Sequence, residues 1–145
     1  EIKHPKIQIM CRCIDGQYPN YNDIIPTKFK TNVTLKKDEF LNQVKTISLF
    51  STKNNEVKII IPPSKKGVEI FSRNSSVGEG RSNLSATVEG EPVEVSFNYK
   101  FLIDGLGYIK SSEAVFNISK EDGPAILKPV GDDTYIYVLM PIKSI

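Results

Sequence analysis

Residues 93–110 read VEVSFNYKFLIDGLGYIK, and the spacing of the apolar residues changes in the middle of this stretch. From 93 to 97 apolar and polar residues alternate, which is the pattern of a strand with one buried face. After Asn98, a residue type that caps helices well, the apolar residues recur at helical spacing. These apolar positions are Leu102, Leu106 and Ile109. The stretch predicts a strand that leads directly into a helix of residues 98–110.

Two glycines, Gly105 and Gly107, lie within this predicted helix. Each costs about 1 kcal/mol of helix stability relative to alanine. Close packing of the helix against a sheet would explain them, and so would a helix that ends earlier than its apolar stripe indicates.

The same order of elements appears twice along the chain. Downstream of the helix, the sequence predicts strands at 113–119, 125–130 and 135–140. Upstream, it predicts a strand at 31–35, a helix at 37–51, and strands at 57–62, 67–73 and 84–89, with a Gly- and Ser-rich loop at 74–83. This is an α+β fold of two βαβββ repeats, with two helices packed on antiparallel sheets and quasi-two-fold internal symmetry. Residue identity between the halves is poor, so the repeat rests on pattern alone.

The first helix has an apolar face and two apolar residues that do not lie on it. The face consists of Phe40, Leu41, Val44 and Ile47. Leu49 and Phe50, at the end of the helix, point elsewhere at 100° per residue. They indicate a contact surface, unless fraying of the helix end turns them back towards the core.

The bulk composition describes one compact domain with little excess charge. The chain has 145 residues, 39% of them hydrophobic and 25% charged, with a formal net charge of +2. Proteins that grip DNA through many phosphates are usually strongly basic. This chain would therefore contact DNA weakly, or as part of a larger assembly. No apolar run approaches the roughly 20 residues that span a bilayer, so we expect no membrane partner.

The cysteines and the single histidine do not suggest a metal site. Cys11 and Cys13 are the only cysteines, and His4 is the only histidine. Zinc needs about four such ligands, so no metal is expected. We expect both cysteines to be reduced packing residues of a cytoplasmic protein.

The sequence contains no catalytic constellation. His4 has no Ser and Asp partners in a recognisable pattern. Residues 78–81 lack the third glycine of a dinucleotide fingerprint, and no phosphate-binding Gly-Lys-Ser/Thr sequence is present. Asp132 and Asp133 lie in a predicted hairpin turn, where paired acids are usually solvated. The chain is therefore predicted not to be an enzyme and to need no cofactor.

The first thirty residues precede the repeat. Residues 1–15 alternate like a strand, with an apolar face that includes Ile7 and Ile9, and are expected to be the last strand of a preceding domain. Residues 16–30, rich in Pro and Asn, are expected to be a linker, and 31–145 the domain itself. The start resembles no signal peptide, and the missing initiator Met suggests a fragment.

Three segments together resemble the bacterial sliding clamp, the beta subunit of DNA polymerase III. They are residues 14–21 (IDGQYPNY), 97–106 (FNYKFLIDGL), and 127–130 (LKPV) with 135–142 (YIYVLMPI). They are similar to the family's junction between middle and last domains, its second helix of the last domain, and its C-terminal strand. The resemblance implies the DNA-clamp fold, with 1–15 belonging to the middle domain and 31–145 forming the C-terminal domain.

The resemblance also implies a function in DNA replication. Clamps of this family are processivity factors: homodimeric rings that encircle double-stranded DNA without sequence preference. They tether the replicative polymerase, the clamp loader and repair proteins, whose linear motifs enter a peptide-binding groove. Carried over to this sequence, the groove consists of Pro19, Ile24, Asn98, Phe101, Val138, Leu139, Met140, Pro141 and Ile142.

The resemblance gives roles to other residues as well. Leu49 and Phe50 would lie at the dimer interface, and Lys45 and Lys100 would face the DNA channel. Asp23, Lys143 and Asn54-Asn55 depart from residues common in the family, so peptide preference would differ.

Two alternatives differ from a ring on DNA. A clamp-like scaffold that binds partner peptides without encircling DNA is compatible with the same residues. An unrelated α+β binding module or small enzyme is disfavoured by the three matched segments and the missing catalytic groups.

Overall fold

The computed structural model describes residues 2–64 and 66–143, with side chains from residue 5. Four residues of the predicted domain ranges lie outside the described residues: Glu1, Lys65, Ser144 and Ile145. The His4 side chain also lies outside them. The strands are β1 (Ile2–His4), β2 (Ile7–Ile9), β3 (Thr31–Lys36), β4 (Glu56–Ile61), β5 (Val68–Asn74), β6 (Gly78–Leu84), β7 (Ala86–Gly90), β8 (Val93–Asn98), β9 (Glu113–Ile118), β10 (Ala125–Pro129) and β11 (Tyr137–Leu139). The helices are α1 (Lys37–Ile47) and α2 (Tyr99–Gly107), with 3-10 turns at Tyr21–Ile24 and Ser48–Phe50.

The strand-to-helix switch at β8 and α2 is confirmed. Asn98 caps α2, because its Oδ1 accepts a hydrogen bond from the backbone N–H of Lys100 at 3.0 Å. The helix ends at Gly107 and not at residue 110. Ile109 is still buried and completes the apolar stripe. Its N–H donates to the carbonyl of Leu106 at 3.2 Å, which continues the turn past the helix end.

Two antiparallel sheets are built by exchange between the repeats. One has the strand order β6-β5-β4-β8 and the other β11-β10-β9-β3-β7. The first strand of each repeat thus pairs in the sheet that the other repeat builds: β8 with β4, and β3 with β9. This arrangement confirms two βαβββ repeats in an α+β fold.

The symmetry extends to single residues. Because β3 and β8 each run directly into a helix, the buried positions of α1 and α2 correspond one to one. Phe40 corresponds to Leu102, Val44 to Leu106 and Ile47 to Ile109, all buried. In the sheets, Val68 pairs with Leu84 as Ala125 pairs with Leu139.

The predicted loop at 74–83 is wrong beyond its first residues. Residues from Gly78 to Leu84 form β6, which pairs with β5 along its length. Glycine and serine have low strand propensity, but cross-strand pairing outweighs it here. The predicted strand at 84–89 is confirmed with a shifted start: Leu84 ends β6, the chain passes Ser85, and residues from Ala86 enter the other sheet as β7.

The C-terminal segment repeats this crossing. After β11, the N–H of Ile142 donates to the carbonyl of Ser96 in β8 at 2.8 Å. The equivalent strand of the first repeat, β7, pairs with β3 at the corresponding place.

The predicted strand before residue 15 is much shorter than expected. β1 and β2 form a small hairpin, and residues 10–20 are neither helical nor paired. Ile7 and Ile9 are more than half exposed, so the alternating pattern has no sheet to face within the described residues. Cys11 and Cys13 are exposed free thiols, so the expectation that they pack in a core is wrong for this structure.

The core lies where the helices meet both sheets. Phe116 of β9 contacts Phe40 of α1, with ring centroids 6.1 Å apart, and Phe97 of β8, at 5.6 Å. All three rings are buried. The Phe116 ring therefore joins α1 and the two sheets. The candidate functional site lies at the edge of this core.

Candidate functional site

An open depression lies between α2 and the edge strand β11. Its volume is about 280 Å³, and its lining residues are Phe101, Tyr137, Val138, Leu139 and Met140. α2 supplies Phe101, while β11 and the residue after it supply the others. Four of the predicted groove residues, all of these except Tyr137, are thus brought together.

The lining is apolar at the rim as well as at the base. Phe101 is 52% exposed and Met140 is 61% exposed, so both present apolar surface to solvent. Leu139 is only 2% exposed and belongs to the core as well as to the lining. Substitution of Leu139 would disturb the fold, whereas Met140 can be changed at the surface.

Tyr137 is the residue that sequence reasoning missed. Its ring lies against Gly105 of α2: a Cβ added at Gly105 would be 2.6 Å from the ring. Close packing, one of the two explanations for the helix glycines, is therefore correct for Gly105. At Gly107 an added Cβ would meet nothing within 4 Å, so packing does not explain that glycine. The glycine inside a helical stripe was the available signal for a close neighbour.

A second tyrosine supports the first. The hydroxyl of Tyr135 donates to the backbone carbonyl of Gly105 at 2.9 Å, and its ring stacks beside Tyr137 with centroids 6.5 Å apart. Burial raises the pKa of Tyr135, with further contributions from Tyr137 and Tyr108. Burial, and then the Asp104 carboxylate, raise the pKa of Tyr137. Both phenols therefore stay neutral at physiological pH.

The remaining predicted groove residues lie elsewhere. Pro19 and Ile24 are exposed in the segment before β3 and are not among the residues lining the depression. The Asn98 side chain caps α2. Pro141 is half-buried, and Ile142 lines a neighbouring depression of about 340 Å³ that contains charged residues. After Met140 the chain turns towards β8, so the residues beyond it do not line the depression itself. The part of all these residues in a peptide-binding groove stays a prediction.

The two helices lie side by side and carry balanced charge. Lys45 and Lys100 are exposed, as a DNA-facing role requires, and that role stays a prediction. The ionised residues of the two helices are Lys37, Lys45, Lys100, Asp38, Glu39 and Asp104. Lys37 pairs with Asp38 at 2.5 Å, and the three cationic and three anionic side chains of the helices balance in number.

Leu49 and Phe50 differ in their surroundings. Leu49 is 72% exposed, as expected for a contact residue. Phe50 is half-buried against Gly80 of β6, where an added Cβ would lie 2.4 Å from its ring. The expectation that both side chains point away from the fold is therefore wrong for Phe50, because Gly80 leaves space for the ring. Val77, exposed in the turn between β5 and β6, was not anticipated.

The described part of the chain has neither a metal-binding cluster nor a membrane-spanning helix. Among the described side chains, those of residues 5–64 and 66–143, there is no cluster of three or more His, Cys, Asp or Glu that could hold a metal ion. Over the same residues, neither helix has the length and apolar character needed to cross a bilayer.

The chain is similar to bacterial sliding clamps in sequence. The family model described as the DNA polymerase III beta subunit, C-terminal domain, matches residues 22–143. The beta sliding clamp of Synechococcus elongatus is 29% identical over 133 residues, covering 91% of this chain and 36% of the relative. That of Bacillus subtilis is 26% identical over 145 residues, covering 98% and 38%. The chain thus spans little more than a third of the relatives' length.

Solved structures agree with the sequence comparison. The sliding clamp from Bacillus subtilis superposes with a TM-score of 0.85 at 27% identity, over 91% of this chain and 35% of that one. The beta subunit from Thermotoga maritima gives a TM-score of 0.84 at 28% identity, over 90% and 35%. The predicted clamp fold is confirmed, and the chain belongs to the family of the C-terminal domain of the DNA polymerase III beta subunit.

Proposed function

We propose that this chain is the last domain of a ring-shaped processivity factor that encircles double-stranded DNA in the cytoplasm and acts without catalysis. The depression between α2 and β11 would receive linear motifs of the replicative polymerase, the clamp loader and repair proteins. Residues 1–15 would belong to the middle domain, 16–30 to a linker and 31–145 to the last domain. Family membership supports the proposal, and the depression is the observation that carries the docking function.

The internal symmetry provides a comparison within the molecule. The position of Tyr137 corresponds to Ser82 in the first repeat, and that of Gly105 to Gln43. There, the Ser82 hydroxyl donates to Gln43 Oε1 at 2.8 Å. The remaining equivalents of the lining residues are Glu39 for Phe101, Asn83 for Val138, Leu84 for Leu139 and Ser85 for Met140. The same fold thus carries a largely polar surface in one half and an apolar one in the other, as expected if only the second half docks peptides.

The energetics suit reversible docking. Burying two apolar anchor side chains contributes roughly 3–6 kcal/mol. Ordering the peptide offsets part of this gain, so backbone hydrogen bonds must contribute. The expected affinity is micromolar, at about 8 kcal/mol.

The near-neutral charge suits a ring. A closed ring is retained on DNA by topology and needs few phosphate contacts, whereas many close cationic contacts would make binding strong and salt-dependent. With a net charge of +2 and balanced helices, exposed Lys45 and Lys100 would supply a modest potential towards the DNA.

The dimer contact would form at the edge of the β6 sheet. β6 is the outermost strand of its sheet, so one row of its backbone groups faces away from β5 and is open to pairing. Leu49 and Val77 expose apolar surface at the same end of the domain, and Asn74 Nδ2 joins the β5–β6 turn to the Ser51 carbonyl at 3.0 Å. Phe50 would support this surface from beneath.

Changing Met140 to Glu in the full-length protein should weaken binding of a labelled peptide with leucine and phenylalanine anchors at least about tenfold, because a charge then replaces apolar rim surface. Fluorescence anisotropy measures the affinity. Ser85→Glu, at the symmetry-equivalent and exposed position, is the matched control and should bind like wild type. Equal effects of the two substitutions, or no effect of Met140→Glu, would contradict the assignment.

Changing Leu49 to Asp should raise the dissociation constant of the full-length dimer about tenfold or more, since burial of a leucine contributes about 1.5–3 kcal/mol. Sedimentation velocity over a range of concentrations reports the change. Val130→Asp, also an exposed apolar position but in the other repeat, serves as control. A dimer unaffected by Leu49→Asp would place the interface elsewhere.

The full-length protein, once loaded by its clamp loader, should stay on nicked circular DNA and leave when the DNA is cut into a linear form. Gel filtration of the protein–DNA complex before and after cutting measures retention. Equal retention on both forms would refute encirclement and favour a scaffold that binds partners without forming a ring around DNA.

A further inference from the structure

The contact between Gly105 and Tyr137 determines the shape of the depression. We propose that Gly105 is a positioning residue: its missing side chain lets the Tyr137 ring lie flat on α2, and this ring makes the depression selective for a flat, aromatic anchor of the docked peptide. The inference rests on the proposed peptide-docking function and goes beyond it by naming what the site selects.

No other residue at position 105 is compatible with this ring position. A Cβ there would lie 2.6 Å from Cδ1 of Tyr137 and 3.0 Å from both Cε1 and Cγ. Ordinary contacts between carbon atoms are about 3.5–4.0 Å, so alanine would force the ring to move by roughly 1 Å.

We expect the displaced ring to move towards the depression. Tyr135 stacks beside Tyr137 with an interplanar angle of 19°, and its hydroxyl holds it to the Gly105 carbonyl. Gly105 itself is buried, and Tyr137 borders the depression. Substitution at Gly105 would therefore narrow the space left for a guest.

The chemistry of the lining favours an aromatic guest. Tyr137 and Phe101 both border the depression. Aromatic pairs gain energy from edge-to-face and offset stacking beyond the area that they bury, whereas a branched aliphatic side chain gains only from its area. The fold does not dictate this arrangement, since Gln43 and Ser82 form a hydrogen bond at the equivalent place in the first repeat.

Gly107 provides a matched control on the same helix. It is exposed, its φ is not positive, and an added Cβ meets nothing within 4 Å. Gly105→Ala and Gly107→Ala are the same substitution in the same helix, and only the one at position 105 introduces a contact with Tyr137.

The experiment titrates two labelled peptides, identical except for a phenylalanine or a leucine at the anchor, into the full-length protein. Wild type should bind the phenylalanine peptide about two- to tenfold more tightly than the leucine peptide. Gly105→Ala should abolish most of that preference by weakening the phenylalanine peptide more than the leucine peptide. Gly107→Ala should keep the preference. Tyr137→Leu, which leaves Gly105 in place, should also abolish it and provides a second route if Gly105→Ala does not fold.

A purely structural role for Gly105 would weaken both peptides by the same factor, and that result would overturn the inference. An unchanged ratio in Tyr137→Leu would overturn it too. If wild type binds both peptides without preference, the docking function stands and the selectivity falls. If wild type binds neither, the proposed docking function falls, and this inference with it.

Discussion

The exchange of first strands between the two repeats is the constraint on which the rest of the structure depends. β3 completes the sheet of the second repeat and β8 completes the sheet of the first, so neither sheet can form without both halves of the chain. Each helix follows directly from an exchanged strand, and this fixes α1 and α2 side by side against a shared core. Phe116, in contact with Phe40 and Phe97, lies where these elements meet. Long-range pairing of this kind makes the domain one cooperative unit.

Within that frame, the two halves have diverged at equivalent surfaces. At the edge of one sheet, Gln43 and Ser82 form a hydrogen bond beside Glu39, and an exposed leucine lies at the helix end. At the edge of the other sheet, Gly105 admits the Tyr137 ring, and Phe101 and Met140 border an apolar depression. Because the backbone is shared, the difference in chemistry follows from a few side chains. Under the proposed function, the first edge would contact a neighbouring subunit and the second would receive partner peptides.

The periodicity of apolar residues was sufficient to predict the helices and strands whose side chains enter the core. In α1, α2 and strands such as β4 and β9, the apolar residues recur at the positions that face the core. The sequence pattern and the structure therefore agree for these elements. β6 could not be predicted, because its Gly, Ser and Asn residues form a strand only through pairing with β5. The short β2 shows the opposite error: an alternating pattern indicates a strand only where a sheet receives its apolar face. Crossing from β6 to β7 at Ser85 is likewise decided by the partner strands.

The site was predicted in part, for a physical reason. Phe101 and residues 138–140 come together because they lie on a helix and an adjoining strand, which sequence reasoning placed correctly. Tyr137 and the inward position of Phe50 depend on glycines across the contact, Gly105 and Gly80, and such pairs are not visible from spacing along one element.

The most direct test of the account is hydrogen exchange of the full-length protein with and without an anchor peptide. The account predicts that the peptide slows exchange in α2 and residues 137–142 and leaves exchange unchanged in the equivalent regions, α1 and residues 82–87. Slower exchange in both regions, or in the first-repeat region alone, would contradict it.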